Sequence, residues 1–146
     1  LKTDPYSENI EDLYQNAPCG YFSMLPGGMI ISINNTLLKW LDYKREEVVY
    51  EMMLQDLLRA GGKIYFQTHL MPILQIEKEV SEINMELRGR GSIKIPALIN
   101  AKKEEDSDGQ SFYLFSVLDI TQRKLYENEL IKARIEAEKK AYGSGR

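Results

Sequence analysis

Residues 111 to 142 constrain this chain more than any other stretch. Ser111 to Leu118 is a strand-like, mostly apolar run that stops at Asp119-Ile120-Thr121 and passes directly into a long charged helix, Gln122 to about Tyr142. A helix that leaves the last strand with no neighbour left to pack on is marginal in water by itself, because most helical stability comes from tertiary burial. The arrangement predicts a sensor or docking module that hands something on, rather than a self-contained enzyme.

Size and composition agree. The 146 residues suit one domain plus an extension, and 43% hydrophobic residues suffice for one core. The net charge of −3, with both signs interspersed, is wrong for a nucleic-acid surface, which needs clustered Lys and Arg. No apolar run approaches the ~20 residues that span a bilayer. The start, Leu1-Lys2-Thr3-Asp4, lacks an initiator Met and a signal-peptide core, and reads as an internal segment of a longer polypeptide. Cys19, the single cysteine, allows neither an intramolecular disulfide nor a thiolate metal cluster. A single thiol makes a reducing cytoplasm the easier reading of the chain's compartment.

Along the chain, Ser7 to Asn16 predicts a short helix capped by Ser7, with Ile10, Leu13 and Tyr14 on one face. Tyr21 to Leu25 and Met29 to Ile33 predict two strands joined at Pro26-Gly27-Gly28. Asn34-Asn35 caps a helix that buries Leu37, Leu38 and Leu41 with Trp40 at its margin. Residues 42–50 and 52–58 predict further short helices. Gly61-Gly62 is expected to break the pattern, and Lys63 to Glu77 to resume it, with Pro72 either kinking the segment or beginning a new helix.

The second half switches to period two. Ile83, Met85 and Leu87 alternate with polar residues, as do Ile93, Ile95, Ala97 and Ile99 after the turn at Gly89-Arg90-Gly91. Pro96 is expected where its nitrogen faces away from a neighbour. The last strand, apolar on both faces, should be central. Together these predict an α+β fold: a five-stranded antiparallel sheet, short helices on one face and a long C-terminal helix. The division is an N-terminal segment 1–6, a domain 7–121, a helix 122–142 and a tail 143–146.

This order and three motifs resemble the PAS domain. Asn16-Ala17-Pro18-Cys19-Gly20 is similar to the family's lead-in to the first strand. Ile33 to Tyr43 followed by Arg45-Glu46-Glu47-Val48 resembles its central helix motif, with Asp42 where the family often has Gly. Asp119-Ile120-Thr121-Gln122-Arg123-Lys124 resembles its exit motif. Gly61 to His69 and Ile95 to Leu98 resemble a bacterial subgroup that precedes histidine kinase, SpoIIE-type phosphatase or diguanylate cyclase domains. The resemblance implies a sensory module, a homodimer and a covalently linked C-terminal effector, a histidine kinase first and the other two outputs as alternatives. A ligand-free protein-docking domain is the reading from another class.

The site expectations follow. A small-ligand pocket between the sheet and the short helices would be walled by Phe22, Met24, Ile31, Ile33, Leu41, Met53, Leu57, Tyr65, His69, Leu70, Ile73, Met85, Leu87, Leu114 and Ser116. All of these serve equally as packed core. Asp119, Ile120 and Thr121 form the expected signal-coupling junction, and either Asp119 or Thr121 can cap the outgoing helix. Tyr126, Leu130, Ala133 and Ala137, flanked by Arg123 and Lys140, keep the 3-4 spacing of a dimer seam. His69, the one histidine, is a candidate haem ligand, against the blander reading of a hydrogen-bonding residue. A flavin is a further candidate cofactor, but Cys19 precedes the first strand and lacks the flavin-adduct motif. Catalytic triads, phosphate loops and metal-ligand spacings are missing from the sequence.

Overall fold

Period-two alternation in the second half becomes the larger part of the sheet. The computed structural model describes residues 9–144. Its elements are α1 (Ile10–Gln15), β1 (Gly20–Met24), β2 (Ile30–Ile33), α2 (Asn35–Leu41), α3 (Arg45–Val48), a 3-10 turn (Leu54–Leu57), α4 (Ala60–Tyr65), a π-helical turn (Phe66–Leu70), α5 (Met71–Glu77), β3 (Glu79–Arg88), β4 (Lys94–Glu105), β5 (Ser111–Asp119) and α6 (Thr121–Ser144). The five strands pair antiparallel in the order β2-β1-β5-β4-β3. β5 is central, as its two apolar faces required.

Alternation decides what each strand buries. Tyr113, Phe115 and Val117 of β5 point to the helical side with Phe22 and Met24 of β1, Ile95, Ala97 and Ile99 of β4, and Met85 and Leu87 of β3. Phe22 and Phe115 stack with centroids 4.5 Å apart. Leu37, Leu41, Val48, Leu54, Leu57, Phe66, Leu70 and Leu74 close this core from the helices. Pro96 sits inside the β4 ladder without breaking it. Its carbonyl accepts from Ile120 N at 2.9 Å, and pairing with β5 begins only at Ala97. A strand residue turns its nitrogen and carbonyl to the same side, so the missing N–H faces the end of β5.

Several local expectations are corrected. α1 is capped by Asn9, whose Oδ1 accepts from Glu11 N and Asp12 N. The expected cap, Ser7, lies outside the described residues. Gly61-Gly62 does not interrupt a helix but sits in the first turn of α4. Pro72 lies in the first turn of α5, so a helical segment does begin at it. A proline ring crowds the carbonyl four residues back, and the chain widens to a π turn in which Met71 N donates to Phe66 O. Residues 52–58 form only a 3-10 turn. Asp42 adopts the left-handed region (φ 59) that ends α2, a conformation in which glycine is favoured for lack of a Cβ.

The turn between β3 and β4 is clamped to the α2–α3 link. Arg90 N donates to Leu41 O (2.8 Å), its Nε to Asp42 O (2.8 Å) and its Nη2 to both Glu47 oxygens (2.6 and 2.5 Å), with the guanidinium 4.9 Å from the Tyr43 ring centre. Glu47 also accepts from Lys44 N (3.0 Å). The Arg90 hydrogen bonds, then that of Lys44, hold the Glu47 carboxyl below its usual range. A depressed folded-state pKa contributes above the unfolded value, about 4.3, and its contribution fades as pH falls through the depressed value. The Arg90 side-chain NMR signals should therefore stay clamped through the ordinary carboxylate range and titrate only below it. Glu47→Gln should remove that titration.

Candidate functional site

The exit of β5 is built to hold its direction. Asp119 Oδ1 accepts from Thr121 N (2.9 Å) and Thr121 Oγ1 (2.5 Å), satisfying one of the free N–H groups at the start of α6. Ile120 N is tied to Pro96 O on β4. The sheet and the helix are thus one continuous hydrogen-bonded path. Beyond this root α6 stands clear of the domain, and every residue from Thr121 to Gly143 is exposed. Arg123 Nε and Glu127 Oε1, 3.2 Å apart, form an i,i+4 pair on its first turns.

The expected seam residues Tyr126, Leu130, Ala133 and Ala137 lie on one side of α6. A second apolar row, missed in the sequence reading, lies on the other: Ile131, Ile135 and Tyr142, all exposed. Its sequence signal is Ile131 and Ile135 four residues apart, with Tyr142 one heptad after Ile135.

The expected inner pocket divides. Phe22, Met24, Ile33, Leu41, Leu57, Leu70, Met85 and Leu87 are buried and packed together as core. Met53, Tyr65 and Ile31 are half-buried, and Ile73 and His69 are exposed. Leu114 and Ser116 are corrected to the opposite face of the sheet, because they have the other parity from Tyr113, Phe115 and Val117. His69 lies with its ring stacked on Tyr65 (5.1 Å) and Nδ1 2.7 Å from Thr68 Oγ1. A haem-iron ligand needs its ring turned into a macrocycle pocket. Phe66 and Leu70 face the core from this turn instead. Cys19 is half-buried before β1. Among the described residues no cluster of three or more His, Cys, Asp or Glu is placed to hold a metal ion.

The groove of this domain lies on the outer face. It has a volume of about 700 Å³ and crosses the sheet from α1 to the start of β3. Tyr21, Ser23, Leu114, Ser116, Asn100 and Lys102 form its floor, Ile10, Leu13 and Tyr14 one wall, and Glu79, Val80 and Ser81 the other. Tyr14 stacks on Tyr21 at 5.9 Å. The Tyr21 phenol is pushed up by hydrogen bonding and charge interaction with Cys19. Asn100 is the polar centre: its Oδ1 accepts from Glu82 N (2.9 Å) at the β3 bulge, and its Nδ2 lies 3.3 Å from Ser116 Oγ. A second cleft of about 250 Å³ joins that bulge to the root of α6, between Glu82, Asn84, Leu98, Ile120, Arg123, Lys124 and Glu127. Groove, bulge and helix root are therefore contiguous. The sequence signal for the groove was the pair of apolar residues Tyr21 and Leu114 at outward-facing strand positions.

No protein-family model matches the chain. It is 37% identical over 123 residues to the phosphoserine phosphatase RsbP of Bacillus subtilis, which covers 84% of this chain and 30% of RsbP. The chain thus spans less than a third of that relative. A PAS domain from a two-component sensor histidine kinase superposes with a TM-score of 0.64 at 17% identity, over 75% of this chain and 91% of that one. A PAS domain from Colwellia psychrerythraea gives 0.68 at 12% identity, over 76% and 93%.

Proposed function

Since this chain has the PAS fold, we propose that it is a cytoplasmic sensory module that pairs with a second copy through α6 and sets the activity of a covalently linked output domain. The observation that carries this reading is the unbroken path from the central strand β5 into the fully exposed α6. A domain that needed α6 for its own core would bury one of its faces; this one leaves the helix for another helix to cover. Among the described residues no helix is long and apolar enough to cross a membrane.

The signal enters at the outer groove. A small molecule or a protein segment there presses on Leu114, Ser116 and Asn100, on the two strands whose ends hold Asp119 and Ile120. It biases the direction in which α6 leaves, and with it the pairing of two such helices. The 37% identity to RsbP favours a phosphatase output over a histidine kinase, for which the likeness is one of fold.

Grafting the chain in place of the matching segment of RsbP tests this. Phosphatase activity should depend on helical phase: deleting one residue from the C-terminal end of α6 changes activity strongly, and deleting seven restores it. Leu114→Lys in the groove should shift activity without loss of fold, since Leu114 is already 39% exposed. Activity indifferent to phase and to Leu114 would sink the proposal.

A further inference from the structure

The charges on α6 give its two apolar rows different partners. In a parallel coiled coil, the residue just before one core position meets the residue five places later on the other helix. If the row Tyr126, Leu130, Ala133, Ala137 is the shared core, Glu129 of one copy meets Arg134 of the other, an attractive pair. If Ile131 and Ile135 are the core, Glu127 meets Lys132, but Arg134 meets Lys139, and Glu138 falls in the core opposite its own copy. Two like-charge oppositions outweigh one attraction, so the second row is poorly suited to pairing with itself. The rows lie roughly 150° apart around a helix with a 3.5-residue repeat, so pairing through the first leaves the second open. There Ile131 is 58%, Ile135 47% and Tyr142 83% exposed.

We propose that the face Ile131, Ile135 and Tyr142, flanked by Lys132, Arg134 and Lys139, docks an acidic amphipathic helix of a different protein. Ile131 and Ile135 keep the four-residue step and Tyr142 follows one heptad later, with Glu138 between them; of the charged flanking positions Lys132, Arg134 and Lys139 are basic and only Glu127 is acidic, so the balance selects a helix with Glu or Asp beside its own apolar stripe. Only the assignment of the first row to a second copy rests on the proposed function; the docking face is tested separately.

The probe is a synthetic three-heptad peptide with an Ile/Leu core and Glu on both flanks, added to the 146-residue chain and followed by fluorescence anisotropy. A peptide of the same core with Lys flanks is the control; each repels itself and stays free to bind. The acidic peptide should bind at least about tenfold tighter than the basic one, and more weakly as salt is raised. Ile131→Ser with Ile135→Ser should weaken it about tenfold or more, while Leu130→Ser leaves it unchanged. Lys132→Glu with Lys139→Glu should invert the preference between peptides. These residues are exposed, so circular dichroism should report an intact fold in every variant. Equal affinity for the two peptides, no binding of either, or binding lost with Leu130→Ser but kept in the double Ile variant would overturn the proposal.

Discussion

Asn34→Ala is expected to cost roughly 3–5 kcal/mol, since it removes four hydrogen bonds worth about 0.5–1.5 kcal/mol each. Asn34 is fully buried (0% exposed) and its amide serves four backbone groups. Oδ1 accepts from Tyr21 N (3.0 Å) and Leu37 N (3.1 Å), and Nδ2 donates to Tyr14 O (2.8 Å) and Cys19 O (3.0 Å). One side chain thereby joins the end of α1, the start of β1 and the first turn of α2. Alanine removes all four bonds and opens a polar hole that nothing apolar fills. A loss of this size is a large part of a domain's usual stability of about 5–15 kcal/mol. Urea denaturation should show a midpoint far below that of the parent, with the slope retained if the transition stays two-state. Asn34→Asp separates the halves of the role. It keeps the two acceptor bonds but turns a carboxylate oxygen toward two carbonyls, so it should be no more stable than the alanine variant.

The second large effect is expected at Gly89. A Cβ there would lie 2.4 Å from Leu41 O and 2.8 Å from Leu41 Cα, and both atoms are backbone. No rotamer change relieves that contact, so the β3–β4 turn must move off the end of α2, straining the Arg90 clamp. Gly89→Ala should cost about 2–3 kcal/mol, as overpacking does elsewhere. The same substitution at Gly61 has the opposite sign. Gly61 lies in the first turn of α4, and a Cβ there meets nothing within 4 Å. Gly61→Ala should stabilise by about 0.5–1 kcal/mol through helix propensity and lower unfolded-state entropy. Thermal denaturation of the two variants side by side reads the contrast directly.

What the sequence made legible follows from how each interaction is encoded. Strand alternation is local, so the sheet, the central place of β5 and the inward rows at Met85/Leu87 and Ile95/Ala97/Ile99 could all be read from spacing. The Asn34 cap was local too; its reach to Tyr14 and Cys19 was not, because that depends on α1 folding back. The wall of the expected pocket failed at Leu114 and Ser116 on parity alone, a constraint that Phe115 and Val117 already imposed. Other failures were tertiary. Gly61-Gly62 signals a break by propensity, yet tertiary context keeps the pair in the first turn of α4. The helix start at Pro72 was legible, but the π turn ahead of it is announced by no period in the sequence. The outer groove needs α1 and the β3 bulge to flank the same face of the sheet, a placement set by chain topology rather than by any motif.

The central claim, that β5 delivers α6 to a twin helix in parallel and in register, is tested most directly by a cysteine cross-linking scan along α6 in a Cys19→Ser background. Single cysteines at positions 126 to 137 are oxidised and the fraction of covalent dimer is measured at each. Dimer yield should peak at Tyr126, Leu130, Ala133 and Ala137 and fall at Ile131 and Ile135. A flat profile, or maxima at 131 and 135, would contradict it.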